Sequence, residues 1–256
     1  ECIHSLNDIK SDRKIDCIVN LAGEPLFGGL WTAKRKPAFF ESRLSTTQAV
    51  VALVRRLSAK PEVMISGSAI GYYGMSLTEN FNEDSSSGDD EMARLCREWE
   101  ATAIPVVEES VRLVHLRIGL VLHPSGGLLA PQILASKCFM AAKLGTGEQW
   151  MSWISRSDLV SLIRFICTNK NIHGPVNATA PTPVTQDDFS RLLANHVGRP
   201  RLFKIPAAPL RIALGDMSDL LLHGQKVLPT KAIDNDFVFE APTLEKAFAT
   251  FASNSA

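Results

Sequence analysis

The stretch Ser66-Gly67-Ser68-Ala69-Ile70-Gly71-Tyr72-Tyr73-Gly74 gathers two hydroxyls and both of the chain's tyrosines at one place. A serine hydroxyl hydrogen-bonds a substrate carbonyl or alcohol, and a phenol can carry a proton to it. Ser68 is therefore the first candidate for holding a substrate oxygen, with Ser66 in support and Tyr72 or Tyr73 as the proton source. The plainer role of adjacent aromatics after a strand is wall or packing. Upstream, Asn20-Leu21-Ala22-Gly23 has two small residues through which backbone can approach a ribose or a ring. Glu24, just past them, is a second acid/base candidate whose ordinary role is a solvated loop carboxylate. Singly, each segment reads as turn or loop chemistry; together they read as a site. A phenol activated by a lysine four residues on is excluded, because the two tyrosines are followed by no lysine until Lys137.

These side chains need a scaffold. Ile15 to Asn20 predicts a strand ending in the Asn-Leu-Ala-Gly turn, then a loop with Gly23, Pro25, Gly28 and Gly29. Phe40, Leu44, Thr47, Val51 and Val54 recur at steps of four and three, one face of a helix that packs on a sheet, with Arg43, Arg55 and Arg56 flanking it. Val63-Met64-Ile65 predicts a short buried parallel strand that delivers the serines. Thr78 to Asp90 reads as a polar surface loop, with Asp89 and Asp90 at a helix start that continues through Arg94 and Trp99. Val111 to Leu122 is the next strand, ended by Pro124 and Gly126-Gly127. Ser155-x-x-Asp158 and Thr185-x-x-Asp188 predict capped helices over Leu159 to Cys167 and up to Gly198-Arg199-Pro200, and capping alone accounts for Asp158.

Strands alternating with helices favour an α/β fold whose parallel sheet is covered on both faces. Ligands then bind at the carboxyl ends of the strands, where Asn20 to Gly23 and Ser66 to Ser68 both fall. Arg117 lies in an apolar strand, so its charge needs a carboxylate or a bound phosphate, the ion pair being the plainer choice.

Composition narrows the partners. With 27 basic and 27 acidic residues in 256, no overall field draws the chain to nucleic acid or an anionic membrane, which leaves a small-molecule substrate as the default. No apolar run approaches the roughly 18–20 residues of a membrane span, and no signal peptide is evident. Five scattered cysteines, with no Cys-x-x-Cys, read as reduced thiols of a cytoplasmic protein. The six histidines show no ligand spacing, so no metal site is expected.

Five segments carry a resemblance: Asn20-Leu21-Ala22-Gly23-Glu24-Pro25, Ile65 to Gly74, Leu95-Cys96-Arg97-Glu98-Trp99-Glu100, Arg117-Ile118-Gly119-Leu120-Val121-Leu122, and Gly145-x-Gly147-x-Gln149-x-x-x-Trp153-Ile154. Together they resemble the atypical extended short-chain dehydrogenase/reductases of the NAD-dependent epimerase family, and Gly224-Gln225-Lys226-Val227-Leu228-Pro229 resembles that family's small C-terminal domain. The resemblance implies a Rossmann-type parallel sheet, incomplete at its N-terminus, over residues 1–122 with 153–182 returning to it. Residues 123–256 would form mainly the substrate side and a smaller mixed α/β C-terminal lobe. It also implies NADP or NAD as cofactor, met by Asn20, Leu21, Ala22, Gly23, Ser66, Gly67, Arg117 and Gly119.

Two departures stand out. The glycine-rich strand-turn-helix that opens such proteins is not in this sequence, so the chain is expected to be an incomplete cofactor domain. Aligning Glu100 with the family helix's acidic residue puts Met92 and Cys96 at the tyrosine and lysine positions, where neither can do that chemistry; Cys96 reads as a small core residue. The loop from Gly145 to Trp153 is expected to face the cleft, and Ser155 stands where relatives commonly have histidine. Two function classes follow: an NAD(P)-dependent oxidoreductase or epimerase acting on a small substrate, sugar-like or other, and a nucleotide-binding or scaffold protein, or inert fragment, without turnover.

Overall fold

The computed structural model describes residues 2–25, 31–32 and 35–253; Gly28 and Gly29 of the expected loop lie outside them. In chain order the strands are β1 (Cys17–Asn20), β2 (Val63–Ala69), β3 (Asn80–Phe81), β4 (Arg112–Ile118), β5 (Leu120–Leu122), β6 (Ala142–Leu144), β7 (Trp150–Met151), β8 (Trp153–Ser155), β9 (Gly174–Ala178), β10 (Val184–Thr185), β11 (Phe203–Ile205) and β12 (Lys226–Val227). The helices are α1 (Arg35–Arg56), α2 (Glu91–Ala103), α3 (Leu129–Lys137), α4 (Arg156–Thr168), α5 (Gln186–Val197), α6 (Ala207–Leu214), α7 (Asp219–Leu222), α8 (Thr230–Asp234) and α9 (Leu244–Ser253).

The fold is α/β, with a parallel sheet of Rossmann type in the order β1-β2-β4-β9. Strand alternation decides which layer each residue joins. Val63 and Ile65 of β2 pack with Leu159, Leu162 and Ile166 of α4, whereas Met64 between them packs with Val50, Val51 and Val54 of α1. A separate apolar cluster, built on Trp153, Phe189, Leu193, Leu244 and Phe248, joins β8 to α5 and α9. Among the described residues no helix is long and apolar enough to cross a membrane.

Several local expectations shift. Helix α1 forms, but at its start Phe39 is the fully buried ring and Phe40 is half-buried, stacked under the Arg94 guanidinium. The stretch after Thr78 is not all surface loop: β3 pairs with β12, and Phe81 and Glu83 are buried. The strand expected over Val111 to Leu122 divides at Gly119. There the chain leaves the main sheet and pairs with β8, and a Cβ at Gly119 would lie 2.5 Å from the Ser152 carbonyl oxygen.

Both capped helices form, with Ser155 accepting from the Asp158 backbone N–H and Thr185 from that of Asp188. The cap is Ser155, and the Asp158 carboxylate accepts from the Ser155 hydroxyl rather than from the Ser155 backbone N–H. The two Asp158 carboxylate oxygens also accept from the backbone N–H groups of Glu240 and Ala241, fixing the C-terminal segment against α4. Trp153, expected at the cleft, is instead wholly buried and donates to the Thr182 carbonyl.

Candidate active site

Parallel register sets the geometry at the strand ends. Ser68 on β2 stands beside Arg117 on β4, which stands beside Asn177 on β9, a polar row across three strands. One row back, Asn20 neighbours Ser66 and Ser66 neighbours His115. Helix α2 lies against this face because its spacing buries Ala93, Leu95, Cys96, Trp99 and Glu100 together. Asp90 caps the helix by accepting from the Ala93 N–H.

Glu100 organises the first row. Its carboxylate takes two hydrogen bonds from Arg117, at 2.8 and 2.9 Å, and a third from the Ser68 hydroxyl at 2.7 Å. A bidentate, buried pair of this kind needs such extra bonds, since burial penalises both charges. Burial opposes the charge on Arg117, but the bonds and charge of Glu100 outweigh it and raise the guanidinium's pKa. The same guanidinium lies 3.4 Å from the Tyr72 ring centre and donates to the Tyr73 hydroxyl, which in turn donates to Asn177 Oδ1 at 2.7 Å. Burial pushes the Tyr73 phenol up to about 12, against the lowering effect of Arg117. Asn177 is held in turn by the Leu228 carbonyl and, at its own N–H, by Glu83, whose pKa burial raises.

In front of this row lies a cavity of about 370 Å³. Its sheet side is formed by Leu21, Ser68, Ile118 and Gly119, its helix side by Met92, Cys96 and Trp99, and its far side by the 144–152 and 219–225 segments. The walls are mostly apolar, the usual character of a small-molecule site with a few placed polar groups.

Of the acid/base candidates, Ser68 lines this cavity, whereas Tyr72, Tyr73 and Glu24 do not. The turn Ile70–Tyr73 aims Tyr73 into the network beneath the wall, and Glu24 stands 3.8 Å from Arg35 near the surface. Cys96 faces the cavity as a thiol donating to the Ala69 carbonyl, pushed up to about 12 by burial.

Of the expected cofactor contacts, Leu21 and Gly119 line the cavity. Asn20 and Ser66 are buried behind it, Asn20 donating to Thr47 and accepting from the Ala22 N–H, and the Ser66 hydroxyl having no hydrogen-bond partner among the described residues. Gly67 has a packing reason for its size, because a Cβ there would meet Trp99 at 3.0 Å and the Asn20 carbonyl at 3.1 Å. Gly23 is crowded in the same way by Arg43 at 3.0 Å. The strand-end residues Leu21, Ser68, Ile118 and Gly119 suit the nicotinamide end of a dinucleotide, which seeks such an edge. The described residues contain no glycine-rich cradle for its pyrophosphate.

Several polar groups on the wall were not singled out in the sequence as site residues, three of which bear on the chemistry. Arg43 is one, a guanidinium over the Trp99 ring that donates to the Glu24 and Phe39 carbonyls, with its pKa lowered by burial. Its place flanking the apolar face of the predicted helix was the available signal, and its closeness to Gly23, twenty residues back, was not. Gln149 was read only as part of a loop. Its amide nitrogen donates to the carbonyls of Leu144 and Leu221, while its buried amide oxygen has no hydrogen-bond partner among the described residues. His223 is the third, with Nδ1 3.2 Å from Asp219 Oδ1 and not aligned as a hydrogen bond. Its i, i+4 spacing from Asp219 was visible, but a four-residue helix gives no periodicity to read.

Residues 3–178 match the NAD dependent epimerase/dehydratase family, and residues 205–251 match a C-terminal domain of unknown function, DUF1731. The chain is 40% identical over 225 residues to the chloroplastic epimerase family protein SDR39U1 homolog of Arabidopsis thaliana, covering 87% of this chain and 64% of that protein. It therefore spans under two thirds of that relative's length. To the epimerase family protein YfhF of Bacillus subtilis it is 38% identical over 236 residues, 92% of this chain and 77% of the relative. The crystal structure of human epimerase family protein SDR39U1, isoform 2, with NADPH superposes with a TM-score of 0.89 at 28% identity, covering 94% of this chain and 83% of that one. The chain belongs to the NAD dependent epimerase/dehydratase family.

Proposed function

We propose that the chain is a nicotinamide-dependent oxidoreductase or epimerase whose dinucleotide lies along the carboxyl edge of the sheet, with a small carbonyl or alcohol substrate in the cavity beside it. The observation that carries this reading is Ser68, a hydroxyl fixed by Glu100 on the wall of a cavity at the strand ends. The NADPH of the human relative supports the cofactor class. When bound, the nicotinamide supplies or accepts hydride.

This chain's own residues divide the remaining work. Because the Ser68 proton is committed to Glu100, its oxygen lone pairs are turned to the substrate, where they accept a hydrogen bond from an alcohol and orient it. Proton movement falls to His223. It is the one imidazole on the cavity wall among the described residues, and Asp219 stands beside it. Tyr73 is unsuited, since its proton is held by Asn177 and its acidity is reduced by burial. The largely apolar wall suits a compact carbonyl compound, and Gln132, Gln149, Asp219 and Gln225 on the same wall are available to its polar groups. Arg43 at the rim suits an anionic group on substrate or cofactor.

The test is NADPH oxidation in the presence of a panel of aldehydes and ketones, followed by Ser68→Ala and His223→Gln on any active substrate. Turnover lost in both variants with cofactor binding retained supports the assignment; turnover unchanged in both removes it. A second reading, a nucleotide-binding protein without turnover, is favoured by Met92 and Cys96 at the helix positions that face the cavity. It predicts saturable NADPH binding and no oxidation across the panel.

A further inference from the structure

Cys17 and Cys167 are 150 positions apart in sequence, yet their sulfurs lie 2.9 Å apart. Non-bonded carbon atoms pack at about 3.5–4.0 Å, so these thiols are closer than ordinary packing. A disulfide bond is about 2.05 Å long, and closure asks for a movement of under about 1 Å. We propose that Cys17 and Cys167 are a disulfide-forming site that staples strand β1 to the last turn of helix α4.

The surroundings favour this pairing over any other. Cys17 opens β1, which has a strand partner on one side among the described residues and whose Val19 is 41% exposed. Cys167 sits at a helix end held in place by Arg112, which donates to the carbonyls of Ile166, Cys167 and Ile172. Both sulfurs are half-buried against the cluster around Val63 and Ile65, within reach of a small oxidant. Of the other cysteines, Cys2 and Cys138 are exposed and Cys96 is buried on α2 with its thiol on the Ala69 carbonyl. Burial, together with the neighbouring Cys167 thiol, pushes the Cys17 thiol up to about 12, so Cys17 rests as a thiol until an oxidant arrives.

Glutathione disulfide is an adequate co-reactant. One protein thiolate attacks it and releases one glutathione thiol, leaving a mixed disulfide. The second protein thiolate then attacks that protein sulfur and releases the other glutathione thiol. The protein loses two protons and two electrons, and the broken glutathione S–S bond is replaced by the protein's.

The experiment incubates the folded chain with glutathione disulfide, alkylates free thiols in acid quench, and maps peptides by mass without reductant. The expected result is a linked peptide pair containing Cys17 and Cys167, loss of two of the five thiols, and a Tm higher by roughly 5–15 °C that reductant reverses. A Cys2→Ser/Cys138→Ser double variant, changed only at exposed positions, should give the same linked pair. The proposal is overturned if Cys17 and Cys167 stay alkylatable, if they stop at separate glutathione adducts, or if bridging runs only through Cys2 or Cys138.

Discussion

Glu100 and Arg117 are buried and neutralise each other, so either one alone is a buried unpaired charge. Glu100→Gln and Arg117→Met are each expected to lower unfolding free energy by about 3–5 kcal/mol, read by urea denaturation. A loss under about 1 kcal/mol in both would show that the pair is better solvated than the structure has it. Ser68→Ala removes one hydrogen bond to Glu100 and is expected to cost only about 1–2 kcal/mol. If the proposed role holds, it lowers kcat by 10-fold or more with KM for the cofactor unchanged, which steady-state kinetics would show. Ser68 was legible because a hydroxyl at a strand end is a local feature. The partners were not. The Ser66 to Gly74 segment places two tyrosines near the serines in sequence, but the direction of a single turn decides that Tyr73 meets Asn177, 104 residues on. Arg117 announced its need for a carboxylate, and periodicity alone did not name Glu100 as that partner.

Elements with strong local signals, the capped helices and the apolar strands, were readable to within a few residues. Those fixed by distant contacts were not: β3 is two residues long and exists through β12, and the break at Gly119 follows from the close approach of Ser152. Asp158 shows the difference at one position. Its bonds to Ser155, the cap residue, lie within four residues, and its bonds to Glu240 and Ala241 lie across the chain. Asp158→Ala removes the acceptor of three hydrogen bonds and leaves the helix cap, a backbone N–H to Ser155, in place. It is expected to destabilise by about 2–4 kcal/mol, and Asp158→Asn by less, read by urea denaturation, whereas a loss under about 1 kcal/mol in Asp158→Ala would show that these bonds do not hold the C-terminal segment.

His115 on β4 gives the sheet a pH dependence. Burial lowers its pKa, Arg117 adds to this, and Glu100 opposes it. A folded pKa below the unfolded value of about 6.5 means that the unfolded chain takes up the proton first. Stability should therefore fall as pH drops below about 6.5, until the folded state also protonates. His115→Leu should flatten that part of the profile, as measured by Tm between pH 7 and 5; an unchanged slope would place its origin in other groups.

At the scale of the molecule, the cavity exists because the strand ends of a Rossmann-type sheet meet segments returning from residues 144–152 and 219–225. Hydrophobic pattern and strand-helix alternation made the sheet legible, and the family motifs made its relatives legible. The cavity's far wall was not, since it is assembled from short strands and single turns whose positions follow from packing. The central claim is that this cavity takes the nicotinamide end of a dinucleotide. The most direct measurement is a fluorescence titration with NADPH of this chain and of the chain extended by a family-type glycine-rich strand, turn and helix. Saturable, enhanced nicotinamide emission is expected in the extended protein, with weaker binding to the chain alone, whose described residues hold no pyrophosphate cradle; no saturable change in either folded protein would contradict the proposed cofactor site.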